Sequence, residues 1–271
     1  ADCEPAAWRL PTAPLSKYSP AAMLAMRLAR RNNMARLDGV SVSNEGSTVS
    51  GNDLDDLVDD DLEGLRMIAV PRWTDVHEFM CGRGFSDGLP LVAPTPARVQ
   101  RMLLGTARPP AEVIGQCPPM YADATVEKVA TNAVMAGCEP KHLRVVLAAT
   151  EAMLSSDFNL HGVGATTMGA TPCVVVNGPC RHEAGLNCGT GALGSGTRAN
   201  AAIGRALKLV LQNVGGAALG GTESTTLGSP AKFTLVAAEA EEALEACGWA
   251  PLPASEADAS GAGAGAGAGA G

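Results

Sequence analysis

Apolar residues recur at three- and four-residue spacing over Val126, Val129, Ala130, Ala133, Val134 and Gly137, which predicts a strong amphipathic helix that Asp123 can cap. Pro140 opens a second helix with Leu143, Val146, Leu147, Thr150 and Leu154 along one side. A third runs from Arg198 to Val214, turns Ala202, Ile203, Ala206, Leu207, Val210 and Leu211 inward, and stops at Gly215-Gly216. Upstream, Thr95 is a natural N-cap and Pro96 a natural first residue for a helix carrying Val99, Met102 and Leu103, which Gly105 ends. Short apolar runs at Leu89–Ala93, Glu112–Gly115, Cys173–Asn177 and Phe233–Ala237 read as strands, with Cys173–Asn177 the clearest central one. Alternating strands and helices predict an α/β fold, a mixed or mostly parallel sheet covered by helices, as a single main domain over residues 72–252. Ligands of such sheets bind at loops beyond the strand ends.

Composition changes the picture mainly at the flanks. Residues 1–37 carry Arg9, Lys17, Arg27, Arg30, Arg31 and Arg36 with no acid between Ala6 and Leu37. That reads as a basic helix opened by Pro20 after Ser19, or as a targeting-like segment. Residues 38–71 form an acidic, polar linker holding Asp53, Asp55, Asp56, Asp59, Asp60, Asp61 and Glu63, without the ligand spacing of a calcium loop. Residues 253–271 end in an Ala/Gly repeat with no side chains to pack, a tail or tether. The net charge of −8 argues against nucleic acid as a partner, and no apolar run reaches the roughly 20 residues a membrane span needs. Eight scattered cysteines without a C-x-x-C pair point to reduced thiols and an intracellular setting, cytoplasm or organelle, rather than a disulfide scaffold.

Candidate chemistry concentrates between Asn159 and Asn200, where Asn, His, Thr and Arg alternate with glycine. Long irregular stretches inside compact domains are usually functional. Gly189–Gly196 runs into the Arg198 helix, so Gly194, Gly196 and the helix start can hold an anion, with Arg198 and Asn200 adding side-chain contacts. It is neither a P-loop nor a dinucleotide fingerprint, since no Gly-Lys-Ser/Thr follows and no strand directly precedes it. His161, among small and hydroxyl residues, is a general acid–base candidate or a structural hydrogen-bonding histidine. Asn159, Thr167, Asn177 and Asn187 are candidate substrate contacts. Thr225 sits in a second hydroxyl loop, Ser224–Pro230, placed to face the same pocket. Glu127 is a further base if it faces the loops; Cys138, after a helix C-terminus that raises a thiol pKa, is a candidate nucleophile or a packing residue. His182 and Cys188 with His161 give a zinc reading whose spacing matches no standard site.

The motifs Gly88-Leu-Pro-Leu-Val, Ala124-Thr-Val-Glu-Lys-Val-Ala130, Asn132-Ala-Val-Met-Ala-Gly-Cys138, Phe158-Asn-Leu-His-Gly162, Val176-Asn-Gly-Pro179, Arg198-Ala-Asn200, Ile203-Gly-Arg-Ala206 and Ser224-Thr-Thr-Leu-Gly228 resemble one family over about Trp73 to Leu252. It is a family of uncharacterised microbial proteins found beside, or fused to, thiol or selenol proteins bearing a U/C-G-S-C motif. The resemblance implies that Asn159, His161, Asn177, Asn187, Arg198, Asn200, Thr225 and Cys138 belong to the family pattern, whereas Cys117, Cys173, Cys180 and Cys188 depart from it. It also implies a redox or lyase-like enzyme or enzyme subunit acting on a small anionic molecule with a thiol or selenol partner protein. No cofactor is indicated. The alternatives are a non-catalytic ligand-binding or scaffold subunit of the same system and, third, a zinc-dependent hydrolase.

Overall fold

A computed structural model of the chain describes residues 40–41, 66–71 and 73–252. The basic segment over 1–37, most of the acidic linker and the Ala/Gly tail lie outside the described residues. Helices and short strands are mixed along the chain. In order they are β1 (Val40–Ser41), β2 (Arg66–Met67), α1 (Val76–Gly82), α2 (Pro96–Leu103), β3 (Val113–Cys117), β4 (Ala122–Thr125), α3 (Val126–Met135), α4 (Leu143–Leu154), α5 (Leu160–Gly164), β5 (Val174–Val176), α6 (Cys180–Ala184), α7 (Arg198–Asn213), β6 (Val236–Ala238) and α8 (Glu241–Ala246). None of the described helices is long and apolar enough to cross a membrane.

The centre of the fold is α3. Val126, Val129, Ala130, Ala133, Val134 and Met135 are all buried, because α7, α2 and α4 pack around it. A helix apolar on this much of its circumference has to be an interior helix. One polar pair crosses that interior: Asn213 Nδ2 donates to Asn132 Oδ1 (2.9 Å) and to the Phe85 carbonyl (3.2 Å), so neither amide is buried unpaired. Before the helices, Val70 belongs to the same core and Ile68 packs against it.

On its other side α7 packs against β6. Gly204 makes this approach possible, since a Cβ there would meet the Thr234 hydroxyl and lie 3.0 Å from both Leu235 N and Val236 Cγ2.

The strands form three separate two-stranded pairs among the described residues: β1 with β2 parallel, β3 with β4 antiparallel, and β5 with β6 parallel in the register Val174–Val236, Val175–Ala237, Val176–Ala238. The expected central strand therefore has one neighbour, not two. Leu89–Ala93 is no strand at all. Pro90 within it and Pro94 directly after it have no backbone donor. What ties it down is Val92 N to the Met135 carbonyl (3.1 Å), with arginines from α2 and α7 donating to its carbonyls. Asp123 lies within β4, and the cap of α3 is Thr125, whose Oγ1 accepts from Lys128 N (3.3 Å). β6 begins at Val236, three residues later than the pattern indicates, because Pro230–Lys232 makes a 3-10 turn that bonds Phe233 N to the Pro230 carbonyl.

Candidate functional site

An open cleft of about 520 Å³ lies where α2, the C-terminal end of α3, the turn over 137–141 and the start of α7 meet. Its volume falls in the range of small-molecule sites. Thr95 and Pro96 start α2 so that Val99 and Met102 face the core, and this turns Arg98 and Arg101 outward. Arg98 and Arg101, three residues apart, stand on one face of the helix. Both line the cleft together with Met102. Lys141 and Arg198 line it too, and Val92, Val134 and Cys138 supply apolar surface.

The two pairs of cations differ in how their charges are met. Arg198 donates through Nε to the Gly137 carbonyl (2.9 Å) and pairs through Nη1 with Glu139 Oε1 (2.7 Å), while Lys141 Nζ reaches Glu139 Oε2 (3.2 Å). The hydrogen bond from Lys141, with the Arg198 charge behind it, holds the Glu139 carboxyl below its usual range, so it is ionised at neutral pH. Arg98 donates to the Ala93 carbonyl (2.9 Å), and neither Arg98 nor Arg101 has a carboxylate partner among the described residues. The lining of the cleft thus holds four cations and one carboxylate, which two of the four engage.

Two residues singled out in the sequence meet here, Arg198 and Cys138. Burial pushes the Cys138 thiol up to about 12, partly opposed by Arg198, so at neutral pH it is a protonated, polarisable patch of wall. Glu127 does not line the cleft. It is buried in the first turn of α3, its Oε1 has no partner among the described residues, and burial pushes its carboxyl up to about 7.

His161 is elsewhere and exposed, on the short helix α5, with Nδ1 3.1 Å from the Tyr121 hydroxyl. Asn159 caps that helix from a left-handed backbone (φ 50°). Tyr121 (φ 55°) is the other non-glycine residue with a positive φ among the described residues.

The remaining candidates hold loops together. Asn200, buried at the start of α7, accepts from Asn187 N and donates to the carbonyls of Asn187 and Ala192, all at 2.9 Å. Asn187 Oδ1 accepts from Gly189 N, and its Nδ2 donates to the Thr190 carbonyl. These bonds shape the loop that carries Gly194 and Gly196, both exposed. Asn177 Nδ2 donates to the Leu252 carbonyl (3.0 Å).

The second hydroxyl loop does not join the Gly-rich one. Thr226 N and Ser224 N donate to the Thr167 and Thr166 carbonyls, and the Thr225 hydroxyl to the Met168 carbonyl. That loop enters β6, whereas the Gly-rich loop follows β5; in a parallel pair these are opposite ends. Among the described residues no three His, Cys, Asp or Glu side chains come together as metal ligands, and His182 Nε2 faces Glu242 at 3.5 Å. The seven cysteines among them form no disulfide.

The sequence reading passed over Arg98, Arg101, Glu139 and Lys141. A signal was present, since two arginines three apart on an amphipathic helix lack an acidic neighbour. Glu139→Gln frees Lys141 and Arg198 from that carboxylate and is expected to tighten any binding of a small dianion about three- to tenfold at low salt, less at high salt. Equilibrium titration of both forms at two ionic strengths checks this, and equal affinities would count against it. Comparison with protein-family models, curated proteins and solved structures gives no match to this chain.

Proposed function

We propose that this chain binds a small organic anion in the cleft between α2 and the start of α7. The observation that carries the reading is the pair Arg98 and Arg101, turned into the cleft with no carboxylate among the described residues to neutralise it. Their paired guanidinium groups take the anionic head, since two forks of N–H donors suit carboxylate or phosphate oxygens. Val92, Met102, Val134 and Cys138 take the apolar body, and Arg198 with Lys141 meets a second negative group. Binding is favoured over catalysis because, among the described residues that line the cleft, the Glu139 carboxylate is engaged by two cations and the Cys138 thiol is protonated.

A second reading keeps the same cleft as part of an enzyme, redox or lyase-like, to which a thiol or selenol partner protein brings the reacting group. The presence of Cys138 on the wall favours it. In either case we read the parallel β5–β6 pair against α7 as part of a single α/β domain.

The test is thermal stability of the full chain against monocarboxylates, dicarboxylates and phosphate esters. A bound ligand at a hundredfold excess over Kd stabilises by about 2.7 kcal/mol. A clear rise is expected with dianions, and it should vanish in the Arg98→Ala/Arg101→Ala double variant, whose replaced side chains are solvent-facing. A rise that survives the double substitution, or none with any anion, overturns the assignment of the cleft.

A further inference from the structure

We infer that Lys208, Glu223 and Lys232 form a second, independent site, one that takes a small monovalent anion. It lies at the far end of the β5–β6 pair from the Gly-rich loop and shares no residue with the cleft. Lys208 comes from the middle of α7, Glu223 from the loop after it, and Lys232 from the 3-10 turn before β6. Lys208 Nζ lies 2.5 Å from Glu223 Oε2, and Lys232 Nζ 2.8 Å from Oε1.

All three side chains are largely withdrawn from water, with exposures of 18%, 5% and 13% for Lys208, Glu223 and Lys232. Glu223 meets both lysines, one on each carboxylate oxygen, and the Thr225 hydroxyl lies 3.2 Å from its Oε1. Burial pushes its carboxyl up, but the hydrogen bonds and charges of the two lysines outweigh that and hold it ionised, below its usual range. The cluster therefore carries two positive charges against one negative. An unbalanced charge taken out of water is costly unless something neutralises it. Each ammonium group has three donors, and among the described residues each spends one, on Glu223.

Beside the cluster is a cavity of about 30 Å³, walled by Val163, Leu207, Leu211 and Val236, with both lysines and Glu223 in its lining. It has room for one or two water-sized particles. A halide or the carboxylate end of a small acid fits that space and balances the charge. A tetrahedral dianion is too large, and it would reverse the imbalance rather than cancel it.

The experiment replaces gluconate by chloride, bromide, formate or sulfate at constant ionic strength and follows the thermal midpoint of the full chain. A saturable rise with chloride, bromide or formate, absent with sulfate, is expected; the order of chloride and formate distinguishes an inorganic ion from an organic acid. Lys232→Gln leaves a balanced Lys208–Glu223 pair. That variant is expected to be at least as stable as the wild type in gluconate and to lose the response. A response shared by Lys232→Gln, or one that rises without saturating, or none, overturns the site. Should that variant not fold, crystals of the wild type in bromide decide. An anomalous peak between the two ammonium groups supports the site, and no peak at saturating bromide overturns it.

Discussion

Replacing Arg205 by Met will destabilise the chain by about 3–5 kcal/mol, the usual result of stranding one partner of a buried ion pair. Arg205 Nε donates to Asp87 Oδ2 (2.9 Å), and Nη2 donates to Asp87 Oδ1 (2.7 Å) and to the Leu89 carbonyl (3.0 Å). The Asp87 side chain is only 2% exposed, so without the guanidinium its buried charge keeps backbone donors, the Leu89 N–H at 3.3 Å among them, but no opposite charge. Burial alone pushes the Asp87 carboxyl up; the hydrogen bonds and charge of Arg205 outweigh it, and the carboxyl sits below its ordinary value. A depressed carboxyl contributes stability above its unfolded pKa and loses it as pH falls through the folded one, so the difference between wild type and Arg205→Met should narrow in acid. Urea denaturation at pH 7 and in acid measures both quantities. A loss below about 1 kcal/mol at pH 7 would mean that the bidentate contact is not a buried pair in solution. The effect reaches the cleft as well, because Asp87 anchors the segment that carries Val92 into its wall.

That segment also shows where the sequence stopped being legible. Helices whose apolar stripe repeats over nearly three turns or more, α3, α4 and α7, are readable because burial and period coincide in them. α2 is readable because Thr95 and Pro96 are local signals, effective whatever packs above them. Leu89–Ala93 has strand composition, yet whether it pairs depends on a neighbour distant in sequence, and the donors of two of its six flanking or internal peptide units are lost to Pro90 and Pro94. The same limit explains β5: its apolar run is local, while the number of strands beside it is not.

For the site, the sequence drew attention to glycine, asparagine and threonine between Asn159 and Asn200, and the structure uses many of them to tie loops, as with Asn200 on Asn187 and Ala192. Polar side chains in loops serve both purposes, and composition does not separate them. Arg198 was accessible because it follows the glycine run. Its companions were not, since Arg98 and Lys141 approach it only through the packing of α2 on α3 and the turn at Pro140.

Glu127 is where burial and charge conflict most directly, and it makes stability fall as pH rises. Its carboxyl is pushed from an ordinary 4.5 to about 7 by burial, against a smaller opposing pull from Lys128. Between those two values the unfolded chain has released the proton and the folded chain still holds it. The folded state then binds more protons, so stability is full below about 4.5 and is lost progressively up to about 7. The gap corresponds to roughly 3 kcal/mol. Glu127→Gln removes the titrating group and should flatten this part of the profile, whatever constant offset a buried amide adds. Glu127→Met, of similar volume and without a polar atom to strand, should exceed the wild type by about 2–3 kcal/mol above pH 8, the gain seen when an uncompensated buried charge gives way to apolar packing. Urea denaturation of the three forms from pH 4 to 9 is the measurement. Parallel profiles for wild type and Glu127→Gln would show that Glu127 finds a partner or water in solution. A slope confined to the wild type would identify Glu127 as a group that titrates near neutrality inside the helix whose far end, at Val134, forms part of the cleft.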